Sequence, residues 1–430
     1  MKSTGLPKST GTTALRSSSQ DQLGPLFSSI IFIIAALFLS GIALLMGIAA
    51  LASLFTTGEV KVEQTVLFVA FGFEGIVLLP AVFFSLQKFL QKRSADRETS
   101  LSISSWWILL LAIVAGASLL IGYLIGDISA LNWILLPILT IPAVALPLAA
   151  LLVFGGRKLP LGTRWQAWNV FGLAMTLAPL LLFTAEGLIL LFVLIGIAFY
   201  IAMRPELASD LRTIAQQMMM LGRESAATQD LLLPFLTKPG VIVLVLIYIA
   251  VLVPLVEEIF KPLGVWLFAR KLDSPAQGFT LGALSGGGYA LLETLNVSSQ
   301  TDGWAILLTS RIGTGLLHIT TSALMGAAIV LAWRERRYVR LAGTYFLAVL
   351  LHGSWNALAV FFSYSGLTEV FGHEESLNTI QLALTITMTV LAVGLFVILI
   401  VSNRRLRTRI APSLIQPVVP NEGVNVSESV

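Results

Sequence analysis

The chain has 430 residues, 56% of them hydrophobic and only 12% charged, with a mean hydropathy of +0.89; soluble chains carry about 45–50% apolar and about 25% charged residues, so a soluble multidomain protein is excluded. The formal net charge, 27 − 23 = +4, is too small for a nucleic-acid-binding surface, and the basic residues fall at the ends of apolar runs, where membrane orientation accounts for them. There is no cysteine, which excludes disulfides, iron–sulfur clusters, thiolate zinc sites and cysteine nucleophiles, so any metal must be held by histidine and carboxylate.

In chain order, residues 1–24 are polar and Ser/Thr-rich, with Lys2, Lys8 and Arg16, and read as a disordered cytoplasmic tail. The run that follows, Leu26 to Phe55, is too long for a signal-peptide core and reads as a retained membrane helix. A span needs roughly 20 apolar residues. On that measure the segments 26–55, 64–87, 106–125, 133–154, 165–184, 187–203, 240–268, 278–296, 303–332, 343–363 and 379–402 all qualify. Trp106, Trp107, Trp133, Trp165 and Trp168 stand near segment ends, as interfacial anchors do. Residues 204–239 are the longest polar interval, and Glu206–Gly222 within it suits a helix lying on the membrane surface. From Asn403 a basic stretch, Arg404, Arg405, Arg407 and Arg409, opens a second disordered tail.

Lys and Arg crowd the N-terminal tail, the 88–105, 155–164 and 334–342 loops and the C-terminal tail, and are absent near 127, 186, 297–302 and 364–378. The positive-inside rule then places both termini in the cytoplasm of a plasma-membrane protein. Two cytoplasmic termini need an even number of crossings, and eleven segments are odd. One element must be re-entrant or fused, the suspects being 187–203, preceded by Glu186, and 240–268. The expected fold is an all-α polytopic membrane protein of about ten crossings.

Ionisable groups inside a bilayer cost a few kcal/mol each, so each needs a reason. In the first half Glu74 reads as a snorkelling or packing carboxylate and Glu186 as a residue at a turn. The second half is richer. Segment 240–268 holds Glu257, Glu258 and Lys261 between Pro254 and Pro262, which predicts a bent or unwound helix with Glu257 and Lys261 paired one turn apart and Glu258 left over. The next segment carries Gly278, Gly282, Gly286, Gly287 and Gly288, then Tyr289 and Glu293; the glycines are expected to serve close helix packing. Arg311, His318 and Ser322 follow in one apolar run, His352 and Asn356 in another. The third histidine, His373, lies in a polar loop and reads as solvated.

Two neutral imidazoles and a carboxylate make a three-ligand zinc site with a position for water, and bound Zn2+ lowers that water's pKa to about 7. Glu257, Glu258 and Glu293 are the candidate acids, with His318, His352 and Glu293 the metal-binding set. A second carboxylate supplies a base, Lys261 counters charge, and Asn356 or Arg311 can stabilise an oxyanion. A metal-free site, in which Glu257 or Glu258 activates water directly, suits the same residues.

Together the four pieces, Glu257-Glu258-x-x-Lys261, Tyr289-x-x-x-Glu293, Arg311 with His318, and His352-x-x-x-Asn356, resemble the PrsW family of intramembrane proteases in order and spacing. Tyr289 stands where that family usually has Phe. The family is in turn similar to the CAAX-processing membrane proteases, which have His where this chain has Glu293. The resemblance covers about residues 240–363. It implies that Glu257 or Glu258 activates water or binds metal, that His318 and His352 are ligands or polarising groups, and that Asn356 helps bind the oxyanion. It also implies a membrane-anchored protein substrate such as an anti-sigma factor. The expected organisation is a tail (1–24), N-terminal membrane helices (25–203), a polar linker (204–239), a catalytic helical core (240–363), a loop with the last crossing (364–402) and a tail (403–430). A proton-coupled transporter is the competing function, since buried carboxylates and histidines also make proton relays. A non-catalytic membrane scaffold is a third.

Overall fold

The computed structural model describes residues 11–101, 103–221, 238–298, 303–365 and 374–410, together with 231, 234 and 236. His373, most of the 364–378 loop, residues 1–10 and the chain beyond Ile410 lie outside the described residues, as do the readings made of them. The helices are α1 (Gly11–Thr57), α2 (Val62–Phe89), α3 (Ser105–Ile125), α4 (Ser129–Gly156), α5 (Arg164–Met175), α6 (Leu177–Ala202) and α7 (Pro205–Leu221). After the linker come α8 (Pro239–Ile247), a π-turn (Tyr248–Leu252), α9 (Val253–Phe260), α10 (Leu263–Phe268), α11 (Pro275–Val297), α12 (Trp304–Glu335), α13 (Tyr338–Ser365) and α14 (Glu374–Ile410). A short antiparallel pair, β1 (Glu98–Ser100) and β2 (Pro160–Thr163), ties two of the basic loops together.

Nine stretches among the described residues are long and apolar enough to cross a membrane. The segments read as 165–184 and 187–203 are one of them, Arg164–Ala202, broken only at Thr176 between α5 and α6. The suspected fused element is therefore found here. Helix α11, 23 residues long, is not among the nine. Its glycines and hydroxyls lower its hydropathy, but it is buried along nearly its whole length. The outer helices turn large apolar side chains outward, among them Phe38, Leu44, Phe192 and Phe199, which is where lipid replaces a protein neighbour.

Both tails are shorter than expected. Helix α1 starts at Gly11, inside the interval read as a tail, because an established helix gains one hydrogen bond for each residue added. Helix α14 continues past Asn403 to Ile410. There the Asn403 amide donates to the carbonyls of Gly155 (2.7 Å) and Arg157 (3.1 Å), and arginines suit a helix C-terminus.

Helices α11 and α12 form the centre of the molecule and pack antiparallel at backbone contact. A methyl group on Gly278 would strike the carbonyl of Gly326, one on Gly282 that of Ser322, and one on Gly286 that of His318. The four-residue glycine spacing thus serves close packing, as expected, and it sets the depth of His318 against Tyr289 and Glu293.

Candidate active site

Proline at 254 removes a backbone donor, so the turn before it cannot close as an ordinary α-helix. The chain answers with the π-turn Tyr248–Leu252. Helix α13 lies against this loosened segment. Asn356 Nδ2 donates to the Ile249 carbonyl (2.9 Å), Tyr345 Oη donates to the Leu255 carbonyl (2.7 Å), and Gly353 leaves room for the Ala250 carbonyl. Helix α9 ends at Phe260, Lys261 and Pro262 form a turn, and α10 starts at Leu263. The bend expected from the two prolines is present, and it turns Glu257, Glu258 and Lys261 into the protein. All three are buried, Glu258 and Lys261 with no exposed surface.

Lys261 does not pair chiefly with Glu257. Its Nζ lies 2.5 Å from Glu258 Oε1 and 3.5 Å from Glu257 Oε2. It also lies 2.9 Å from His318 Nδ1 and 3.3 Å from His352 Nδ1. Glu258 is therefore the better-partnered acid: its Oε1 also accepts from Thr321 Oγ1 (3.3 Å) and approaches His352 Nδ1 (2.9 Å). The expected Glu257–Lys261 pair is present, but Glu258 is not left over: α9 turns its side chain to the same ammonium and to Thr321 on α12 and His352 on α13. The Lys261 backbone is fixed too, its carbonyl accepting from Ser285 Oγ on α11.

The tautomers follow from making each donor meet an acceptor. Lys261 is always a donor, so His318 Nδ1 accepts and His318 Nε2 carries the proton, donating to Glu293 Oε2 at 2.8 Å. His352 Nδ1–H donates to Glu258, which leaves the His352 Nε2 lone pair free, 3.8 Å from Glu257 Oε2. Glu257 Oε2 itself has no hydrogen-bond partner among the described residues. The two imidazoles meet edge to face, ring centres 5.2 Å apart, and Tyr289 packs on His318 in the same way.

Glu257, His318 and His352 each offer a ligand atom, and these atoms lie within 4.8 Å of one another. This donor set suits a divalent ion such as zinc. The outer nitrogens fit as well: His318 Nε2 is on Glu293 and His352 Nδ1 is on Glu258, the carboxylate–imidazole pairing that orients ligating histidines. Counting Glu257, Glu258 and Glu293 against Lys261 and Arg311, the cluster carries −3 + 2 = −1 with neutral histidines, which also favours a cation.

Six of the sequence-selected residues converge directly: Glu257, Glu258, Lys261, Glu293, His318 and His352. Glu293 sits behind His318 and is paired with Arg311 Nη2 at 2.7 Å, so Glu257, not Glu293, completes the three-atom group. Arg311 Nε also reaches Thr294 Oγ1 (3.3 Å). Asn356 is one turn from His352, with its amide engaged on Ile249. Ser322 Oγ has no hydrogen-bond partner among the described residues, and it is the neighbouring Thr321 that reaches Glu258.

Two readings of the first half change. Glu186 is not at a turn; it lies inside α6, its carbonyl accepts from Tyr248 Oη (3.3 Å), and its carboxylate is within electrostatic range of Glu257, Glu293 and Lys261. The available signal was an isolated acid in an otherwise apolar run. Glu74 does not snorkel: it is wholly buried, and neither oxygen has a hydrogen-bond partner among the described residues.

Residues 187–402, half of the chain, match the family model described as PrsW family intramembrane metalloprotease. No curated protein and no solved structure matches the chain.

Proposed function

Because this chain belongs to the PrsW family of intramembrane metalloproteases and is a membrane-embedded peptidase, we propose that it cleaves a peptide bond of a membrane-anchored protein at the Glu257/His318/His352 cluster. The observation that carries the reading is the convergence of these three donor atoms, each imidazole backed by a carboxylate.

Glu257 Oε2, His318 Nδ1 and His352 Nε2 would hold the ion, zinc being the one that the donor set favours. The bound ion would supply an acidified water and a polarised substrate carbonyl. Glu258 Oε2, buried and without a hydrogen-bond partner among the described residues, would take the proton from that water. Glu258 Oε1 meanwhile keeps His352 in its tautomer, and Glu293 does the same for His318. Arg311 holds Glu293 in place. Asn356 keeps the π-turn docked on α13, so its contribution to the oxyanion would come from its second amide hydrogen. Lys261 already touches His318 Nδ1, so an ion would displace that contact. The same contact favours a second reading, in which the Lys261 ammonium takes the place of a metal ion and Glu257 activates water unaided.

By family resemblance the substrate class is a membrane-anchored regulator of the anti-sigma type, with the bilayer itself as the medium. The basic loops would face the cytoplasm of a bacterial plasma membrane, with both termini on that side.

The test is metal content of the purified full-length protein beside His318→Ala and His352→Ala. Near-stoichiometric zinc, lost in both variants, is expected. A well-folded wild type without metal after chelator-free purification would leave the second reading standing in place of the first.

A further inference from the structure

Away from the Glu/His cluster, a cavity of about 480 Å³ opens between the end of α4 and the end of α14. Arg157 and Lys158 border it from the turn after α4, Arg404 and Arg407 from α14, and no acidic residue among the described residues lines it. Arg407 Nε is buried without a hydrogen-bond partner among the described residues. Lys158 adopts a left-handed backbone (φ 61°), a conformation that non-glycine residues rarely keep without a structural or functional reason. The two halves are locked in register by the Asn403 amide, which bonds the carbonyls of Gly155 and Arg157.

The rest of the lining is apolar. Phe154 and Phe396 meet edge to face with ring centres 5.8 Å apart, on the side toward the membrane-spanning parts of α4 and α14. Four cations above two phenyl rings are complementary to a phosphodiester attached to acyl chains. They are not complementary to a neutral or zwitterionic headgroup, whose ammonium would find no acid here.

The positive-inside rule explains why these four residues lie on one side of the membrane. It does not explain why residues about 250 positions apart surround one cavity with no counter-ion. We propose that this cavity is a binding site for an anionic phospholipid, its phosphodiester held by Arg157, Lys158, Arg404 and Arg407 and its acyl chains running along Phe154 and Phe396.

The test is native mass spectrometry of the full-length protein in detergent. It is titrated with phosphatidylglycerol, with phosphatidylethanolamine and phosphatidylcholine of the same chains, and with glycerol phosphate. The expected result is a single phosphatidylglycerol bound at least tenfold tighter than either zwitterionic lipid, with that preference lost in Arg157→Gln/Arg407→Gln. The variant Lys92→Gln/Arg93→Gln loses the same charge in the exposed 88–105 loop, and it should bind like wild type. If the first pair does not fold, Lys158→Gln/Arg404→Gln takes its place. Equal binding of the three lipids, or equal loss in the loop variant, would reduce the effect to general surface charge and overturn the site. Glycerol phosphate binding as tightly as the lipid would assign the cavity to a free phosphate and overturn the lipid assignment.

Discussion

At the scale of single residues, Lys261 is the centre of the catalytic cluster. A buried ammonium with three protons faces three acceptors, Glu258 Oε1, Glu257 Oε2 and His318 Nδ1, the last of which would also ligate a metal. Ammonium and divalent ion repel strongly at this distance even in a medium of effective dielectric about 20. We therefore expect Lys261→Met to bind zinc at least roughly tenfold more tightly than wild type, equivalent to about 1.4 kcal/mol, as measured by competition with a chromophoric chelator. Removing Lys261 alone leaves the Glu258 charge buried, so Glu258→Gln/Lys261→Met serves as the charge-balanced companion. Unchanged affinity in both would mean that Lys261 leaves the donor atoms at no cost. Glu293→Gln addresses a different role. A glutamine can still accept from His318 Nε2 but cannot pair with Arg311. Zinc content should persist while peptidase activity falls by about 10–100-fold, the usual effect of losing a carboxylate behind a ligating histidine. Loss of both together would instead place Glu293 among the ligands.

At the scale of helices, the site depends on two contacts that only small residues allow. The first is the α11–α12 seam, where Gly282 touches the Ser322 backbone. Gly282→Ala forces a methyl group into a carbonyl and should destabilise the fold by about 1–3 kcal/mol, seen as a lower thermal midpoint in detergent. Gly41→Ala on α1, with nothing within 4 Å, should leave the midpoint unchanged or raise it slightly. A Gly282 variant as stable as the Gly41 variant would contradict the seam as drawn. The second contact is α13 on the π-turn, which supplies donors to carbonyls that Pro254 and the widened turn release. In lipid no water can take that role.

At the scale of the whole molecule, the basic loops gather on one face. β1 pairs with β2, Asn403 binds the end of α4, and Arg334 Nη1 donates to the Leu272 carbonyl (2.7 Å). The proposed orientation puts that face in the cytoplasm. The chain has no native cysteine, so single cysteines report cleanly on sidedness. In intact cells Ser129→Cys should react with a membrane-impermeant maleimide and Ser100→Cys should react only after lysis. The reverse pattern would invert the proposed orientation.

Much of this was legible in the chain alone. Composition and run length were enough for a helical membrane protein, because the bilayer imposes a length and an apolar content on every crossing. Charge parity was enough to expect one fused element, found as α5–α6. The ordered motifs were enough to select Glu257, Glu258, Lys261, Glu293, His318 and His352, since each is an ionisable group that a membrane tolerates only for a reason. What tertiary structure decided is which atoms meet. Helical spacing paired Lys261 with Glu257; packing against α12 and α13 added Glu258 to the same ammonium. Spacing offered Glu293 beside the histidines; the α11–α12 register put it behind His318 and brought Glu257 together with the two imidazoles. Spacing favoured a turn at Glu186; the continuous α6 brought it toward the site. Sequence periodicity reports the face a residue occupies on its own helix, whereas donor geometry depends on the depth and rotation of neighbouring helices. Those are set by long-range contacts such as Gly282 on Ser322 and Asn356 on Ile249, which no local pattern records.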